Sequence, residues 1–439
     1  MKFWALAFSF AATTVSASVG PDIRVTDVYE AVRWGAVGGV SAYSLGTIAC
    51  NIGDAPAAWN RDTDQHPVIA QNLFRLKGGR FEQIGLSWVK HTFAADIVPL
   101  CGPCQVPADF RTQLGVGCGD AYSAFINGSV FYLGPRSQVN AFTGAFTFPV
   151  DSTGFPPAAP TVGRRIQVQT NAISTALNAG ARYFGQAQYV SPDEAASGNG
   201  ENSLTTREVF VSESLAITTQ AAAPPFVGLS ALETWGQVDP AVSVARVRVP
   251  GEGVLVVASR VTALGSGQWR YNYAIENINS DRAARSLAVP LDACSPEPAV
   301  WAAQPEYHSG EPFDIAPWAS VRAGGIVEWS CAHFADNPNA NAIRWGTVSA
   351  FELIASRPPR AGTVVIGLYK SGSPNQVISD AVVPGANPDF NLDGFIDGFD
   401  YDDFVSAFEI GLSEADFNAD GFPDGFDYDD FVTSFESGC

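Results

Sequence analysis

Histidine is scarce in this chain: 439 residues hold only four, His66, His91, His308 and His333. No G-x-S-x-G elbow, H-E-x-x-H pair, P-loop or dinucleotide fingerprint occurs, which removes the local signatures of the common hydrolase, metallopeptidase, NTPase and Rossmann classes. Past the first residues, no apolar run approaches the about 20 residues that a bilayer-spanning helix needs. Long helical periodicity is missing until the last 51 residues, and there basic residues are missing instead. Between Asp389 and Cys439 stand 15 of the 45 acids and no Lys or Arg, so the remaining chain carries 25 basic against 30 acidic residues. The net charge of −20 is thus a property of the tail, and no basic cluster suits a nucleic acid.

The chain begins with Lys2, the apolar run "FWALAFSFAA" and the small residues Val15 to Ala17, the order of a secretory signal peptide cleaved before Ser18. The expected location is therefore secreted, extracellular or at the cell surface. Cysteine usage fits an oxidising compartment. Six of the seven, Cys50, Cys101, Cys104, Cys118, Cys294 and Cys331, can pair within the body. Cys294 with Cys331 is the expected second-half bridge, and three connectivities stay open for the first four. "CGPC" at Cys101 to Cys104 spells a thioredoxin-like motif, but that chemistry needs a thiolate at a helix N-terminus after a strand. "QVPADF" follows instead, so structural disulfides are preferred over a dithiol or a four-cysteine zinc site. Cys439, the last residue, is left over as a candidate attachment point or dimer-forming thiol.

The body reads as β. In "QWRYNYAIEN", Trp269, Tyr271, Tyr273 and Ile275 alternate with Arg270, Asn272 and Glu276, which is strand periodicity. Gly78 and Gly79 separate two strand-like runs, a hairpin signal. "TDVYEAVRW" and "NAISTALNAGA" are the short helix candidates, "SPDEAASGNGENS" (191–203) an expected exposed loop, and "QAAAPPF" (220–226) a seam. The expected organisation is a signal peptide (1–17), a β-rich unit (18–225), a second sandwich-like unit (226–370), a linker (371–388) and a small domain (389–439).

That small domain is a duplication. Residues 389–409 and 416–436 match at 17 of 21 positions. Each repeat has the spacing of an EF-hand-type calcium loop, in which a hard cation collects six to eight oxygens from a tightly wrapped chain. Asp389, Asn391 and Asp393 take positions one, three and five, Gly394 the sharp turn, Phe395 the backbone carbonyl at seven, Asp397 nine and Asp400 twelve. Asp416, Asn418, Asp420, Gly421, Phe422, Asp424 and Asp427 repeat the pattern. Four carboxylates per loop repel one another unless a divalent cation lies among them, so two Ca2+ ions are expected. After each loop, Tyr401, Phe404, Val405 and Phe408 and their counterparts form one helix face, with Asp402 and Asp403 expected in the first turn.

Loop-then-helix repeats with Asp at position twelve and no helix before each loop resemble type I dockerin domains. The terminal "SGC" resembles the GC-type dockerin tails of secreted bacterial proteins. This resemblance covers the last 51 residues and implies a calcium-folded attachment module with a cohesin-like or cell-surface anchoring partner. Two departures stand out. "GFDYDD" occupies the usual recognition region in place of basic and small hydroxyl residues, and Pro423 removes an N–H where such loops pair. Residues 270–291 and 339–359 are similar to β-sandwich stretches of secreted bacterial proteins.

The overall expectation is a mainly β protein, one or two β-sandwich-like units followed by a small helical calcium-binding domain, whose body is a non-catalytic binding or structural module. The alternative is a carbohydrate-active glycoside hydrolase acting on polysaccharide, an analogy from the dockerin likeness. For the body's chemistry the candidates are a His66–His91 metal or acid/base pair, and Glu306, His308, Glu311 and Asp314, where two carboxylates would serve glycoside hydrolysis.

Overall fold

The computed structural model describes residues 18–91, 94–291, 295–385, 388–391, 393, 395–417 and 421–437. The expected signal peptide, together with Cys294, Gly394, Asn418, Asp420 and Cys439, lies outside the described residues. Among the described residues, no helix is long and apolar enough to cross a membrane.

Among the described residues, four large antiparallel sheets and a two-stranded ladder of Ala57–Ala58 with Gln113–Leu114 make up the body. The first joins Ile23–Val37, Val40–Asn51, Gly119–Tyr122 and Ile97–Val98, with Ile166–Gln169 also pairing to Val40–Asn51. The second runs through Val89–His91, Val68–Lys77, Arg182–Val190 and Leu204–Val211, with Arg80–Leu86 folded back on Val68–Lys77. Tyr43 and Leu45 of the first meet Leu73, Tyr189 and Val209 of the second in one core, so the two form a sandwich. The third sheet orders Val242–Arg248, Val254–Gly265, Gln268–Asn277, Thr347–Ala355 and Ala299–Ala303, and the fourth Ala319–Ala323, Ile326–Ser330, Ala284–Pro290, Pro359–Leu368 and Gln376–Pro384. Tyr271, Tyr273 and Ile275 pack here against Leu287, Trp329 and Ile366, as the alternation in "QWRYNYAIEN" requires. Each such buried aromatic or aliphatic side chain contributes about 1.5–3 kcal/mol.

The polar face of that strand is not left to water. Asn272 and Glu276 are buried, because the outer faces of the second and third sheets meet. Phe74, Phe81 and Phe184 pack there with Val256, Ala274 and the helix Ala231–Val238. Glu276 accepts from Leu232 N (2.9 Å) and Gln186 Nε2 (2.9 Å), satisfying a helix N-terminus and a neighbouring strand at once. The helix itself starts on a Ser230–Glu233 capping box. Gly78 and Gly79 adopt φ of +60° and +81° at the expected hairpin, which glycine reaches without strain.

Four expectations are corrected. "TDVYEAVRW" belongs to the strand Ile23–Val37; register shifts at Val25/Asp27, Val28/Glu30 and Arg33/Gly35 insert extra residues, and the apolar spacing of three they create imitates a helix. The linker 371–388 contains Gln376–Pro384, a strand paired along Pro359–Leu368. The stretch 191–203 is anchored by Glu194, fully buried, which accepts from Ile23 N and Ser203 Oγ. The seam falls later than residue 225, since Phe226–Val227 still pairs with Leu204–Val211. Of "NAISTALNAGA" (171–181), the first three residues are helical, within the short helix Thr170–Ile173.

Candidate metal-binding tail and body groove

Two helices, Gly398–Glu409 and Gly425–Ser437, close the chain. Phe404, Ala407, Ala415, Phe417 and Phe431 form their buried core. Residues 27 apart meet each other: Phe404 stacks on Phe431 at 3.9 Å between ring centroids, and the hydroxyls of Tyr401 and Tyr428 lie 2.5 Å apart. Contacts between equivalent residues are those of a two-fold arrangement, so the sequence repeat is also a packing repeat. Tyr401, Phe404, Val405 and Phe408 all contribute, as the helical spacing requires.

The loop geometry is built by carboxylates. Asp397 caps the first helix by accepting from Phe399 N (2.9 Å), and Asp400 Oδ2 returns a bond from Asp397 N (2.9 Å). Asp400 Oδ1 accepts from Asn391 N (3.0 Å), and Asp400 is fully buried, so position twelve ties the beginning of the loop to its end. Asp393 N donates to Asp389 Oδ1 (3.1 Å) and Asn391 Oδ1 (2.9 Å), and Phe395 N to Asp393 Oδ1 (2.9 Å). The second loop repeats the frame: Gly421 N donates to Asp416 Oδ2 (2.9 Å), Asp424 N to Asp427 Oδ2 (2.8 Å) and Phe426 N to Asp424 Oδ1 (2.8 Å). Asp427 is fully buried and Gly421 takes φ +105°. Because each helix begins at its loop's tenth position, Asp402 and Asp403 fall in the second turn rather than the first. Phe395 and Phe422 expose their rings. Among the described residues, no three His, Cys, Asp or Glu side chains converge closely enough to hold a metal ion. What fits a hard cation is the donor set: oxygens only, on a backbone already wrapped by its own N–H bonds.

In the body, the four clustered cysteines are joined as Cys50–Cys101 and Cys104–Cys118. "CGPC" is therefore two half-bridges with different partners, followed by turns rather than a helix, and none of the four is a free thiolate for redox or zinc chemistry. Cys331 carries a free thiol, and its expected partner Cys294 lies outside the described residues. Cys331 packs beside Ala283, Ala340 and Tyr369, and burial pushes its thiol up to about 11.

His66 and His91 do come together, Nε2 to Nδ1 at 3.1 Å, among Phe146 and Phe148. Both are buried. Burial lowers the basicity of His66, and burial with the neighbouring His66 lowers His91 to about 3. They are a neutral, enclosed pair. Next along the strand, Lys90 is buried against the Tyr122 ring with Asp120 nearby, and burial lowers the lysine and raises the carboxyl; no periodicity marked this pair. The 305–314 segment does not assemble as a carboxylate couple. Glu306 and Asp314 are exposed, whereas Glu311 is buried, accepting from Ser137 N (2.9 Å). Arg136 is fixed through Ser87, Gln71 and Gly346 carbonyls, and only a 30 Å³ void adjoins Glu311, Arg136 and His308.

Another feature unmarked in the sequence is a 740 Å³ groove on the outer face of the fourth sheet, within the usual range for ligand sites. Its floor is small because Ser286, Ala288 and Gly367 stand on adjacent strands. Arg285 and Glu328 rise from the sheet, and the turn His333–Asp336 with Lys370 forms a wall. Phe334 presents an exposed ring braced edge-on against Tyr369, and Lys370 is held by Asp281 at 2.8 Å. The turn is local, with Asp336 N and Asn337 N donating to the His333 carbonyl.

No protein-family model matches the chain, and no curated protein matches it. The class defined by structure alone is a mainly β protein with two disulfides among the described residues and a small helical tail.

Proposed function

We propose that this is a secreted protein held to an extracellular assembly or cell surface by a dockerin-like tail that binds two calcium ions, and that its body is a non-catalytic binding module. The observation that carries the reading is the tail's double frame: in both repeats the position-twelve carboxylate, Asp400 or Asp427, is fully buried and bonded to the N–H of position nine. Asp389, Asn391, Asp393, the Phe395 carbonyl, Asp397 and Asp400 hold the first ion; Asp416, Asn418, Asp420, the Phe422 carbonyl, Asp424 and Asp427 hold the second. Calcium supplies the positive charge that lets four carboxylates share each loop. The chain's part is to wrap oxygens around the site and to start a helix from it.

Binding by the body is assigned to the groove on the fourth sheet. Its polar walls, shallow floor and one exposed aromatic ring suit a chain of hydroxyl-bearing sugars, with Phe334 as the stacking surface. The full-length protein, with calcium throughout, is expected to be pulled down by at least one insoluble polysaccharide and to release no sugar from it. Phe334→Ala is expected to weaken retention at least tenfold. Retention unchanged in Phe334→Ala, or no retention by any polymer, rules out the groove. One observation favours a glycoside hydrolase as second reading: Glu328 and Asp336 line the same groove. Sugar release abolished by Glu328→Gln would establish it.

A further inference from the structure

Where the hairpin Val68–Lys77/Arg80–Leu86 meets the third sheet, a second cavity of 360 Å³ opens. Its lining departs from the rest of this acidic protein. Four cations, Arg75, Lys77, Arg80 and Arg270, surround it with two carboxylates, Glu82 and Glu352. Both carboxylates are already committed. Glu82 pairs with Arg75 at 3.0 Å, and Glu352 takes Arg80 in a fork of 2.7 and 2.8 Å. Lys77 Nζ donates only to neutral acceptors, Leu177 O and Asn178 Oδ1. Arg270 reaches Glu352 at 3.4 Å through Nε without forming a hydrogen bond. Burial raises the Glu82 carboxyl, with a smaller contribution from Glu306, which is not part of the lining. The cavity therefore carries two cations more than its anions neutralise.

A second observation comes from Asn272, next to the cavity's lining on the strand that pairs with Glu352. Asn272 is 1% exposed, yet neither its amide oxygen nor its nitrogen makes a hydrogen bond. It faces Glu352 across the strand pair and lies under the hairpin tip, where its nitrogen is 3.3 Å from the position a Cβ of Gly79 would take. Arg75 Nε is likewise buried without a partner. Buried polar groups are almost always satisfied, and clustered like charges are stable when an anion lies among them.

We propose that this cavity is an oxyanion site that takes the carboxylate or sulfate of an acidic, sugar-sized ligand. Guanidinium groups offer planar forks of N–H donors suited to such oxygens, and the volume is at the small end of the ligand-site range. Arg75, Lys77, Arg80 and Glu82 come from the first sandwich, Arg270 and Glu352 from the second, so a bound anion also clamps the two together. The site is separate from the calcium loops and from the groove, and stands whether or not those readings hold.

The test is calorimetric titration of the full-length protein with sodium glucuronate, sodium sulfate and glucose at one ionic strength set by sodium chloride. Saturable binding of glucuronate, sulfate or both, with none of glucose, is expected. Glucuronate alone would identify a carboxylate ligand and sulfate alone a sulfated one. Lys77→Gln and Arg270→Gln, both at partly exposed residues, should each weaken binding at least tenfold while the melting temperature without ligand stays near wild type. No saturable binding of either anion, or binding undiminished in both variants, overturns the proposal.

Discussion

The neutral pair His66–His91 sets a pH dependence. Burial lowers both imidazoles, His91 to about 3, whereas an unfolded histidine titrates near ~6.5. Above that pH neither state is protonated, and the pair's full stability is present. As pH falls below it, the unfolded chain binds protons that the folded chain refuses, and stability is lost until His91 itself protonates near 3. Urea unfolding at pH 7.5 and pH 5.0 should therefore show a loss about 2 kcal/mol larger in wild type than in His91→Gln; equal losses would mean that the imidazole is protonated in the folded protein. The disulfide Cys104–Cys118 closes a short loop, with a sequence separation of 14. Replacing both by Ser should lower stability by about 3 kcal/mol in the same assay.

At the scale of elements, the legible parts were those with an undisturbed period. "QWRYNYAIEN" placed Tyr271, Tyr273 and Ile275 in the core, because nothing interrupts its alternation, and Gly78–Gly79 placed a hairpin, whose flanking residues pair in register as Lys77 with Arg80 and Leu76 with Phe81. Bulges hid the strand Ile23–Val37, since each one shifts the register by a residue. Gln376–Pro384 was hidden by composition. Its inward residues Val377, Ser379, Ala381 and Val383 alternate correctly, but Ser and Ala blur the apolar signal among turn-forming neighbours. The groove was illegible for a different reason: Ser286, Gly367 and His333 are far apart in sequence and meet only through strand order. In the tail, spacing revealed helix faces and loop frame alike. Calcium should protect the tail of the full-length protein from chymotrypsin, which its many Phe and Tyr invite. Chelation, or Asp400→Ala with Asp427→Ala, should expose it, and equal digestion of wild type with and without calcium would contradict the loop assignment.

Across the whole molecule, both faces of the second and third sheets are covered, so the two sandwiches share an interior. Trp235 is buried at that junction against Phe81 at 5.6 Å between ring centroids. Trp235→Ala should cost about 3–5 kcal/mol and lower a single body melting transition rather than one of two; a second transition left unmoved would show that the sandwiches unfold independently. The tail has a small core of its own, Phe404, Ala407, Ala415, Phe417 and Phe431, and on the proposed reading bound calcium is what holds it firmly. The most direct measurement is calorimetric titration of the chelator-treated, full-length protein with calcium chloride. The account predicts two ions per chain, and none in the variant carrying Asp400→Ala and Asp427→Ala. No calcium uptake by the wild-type protein, or two ions still bound by that variant, would contradict it.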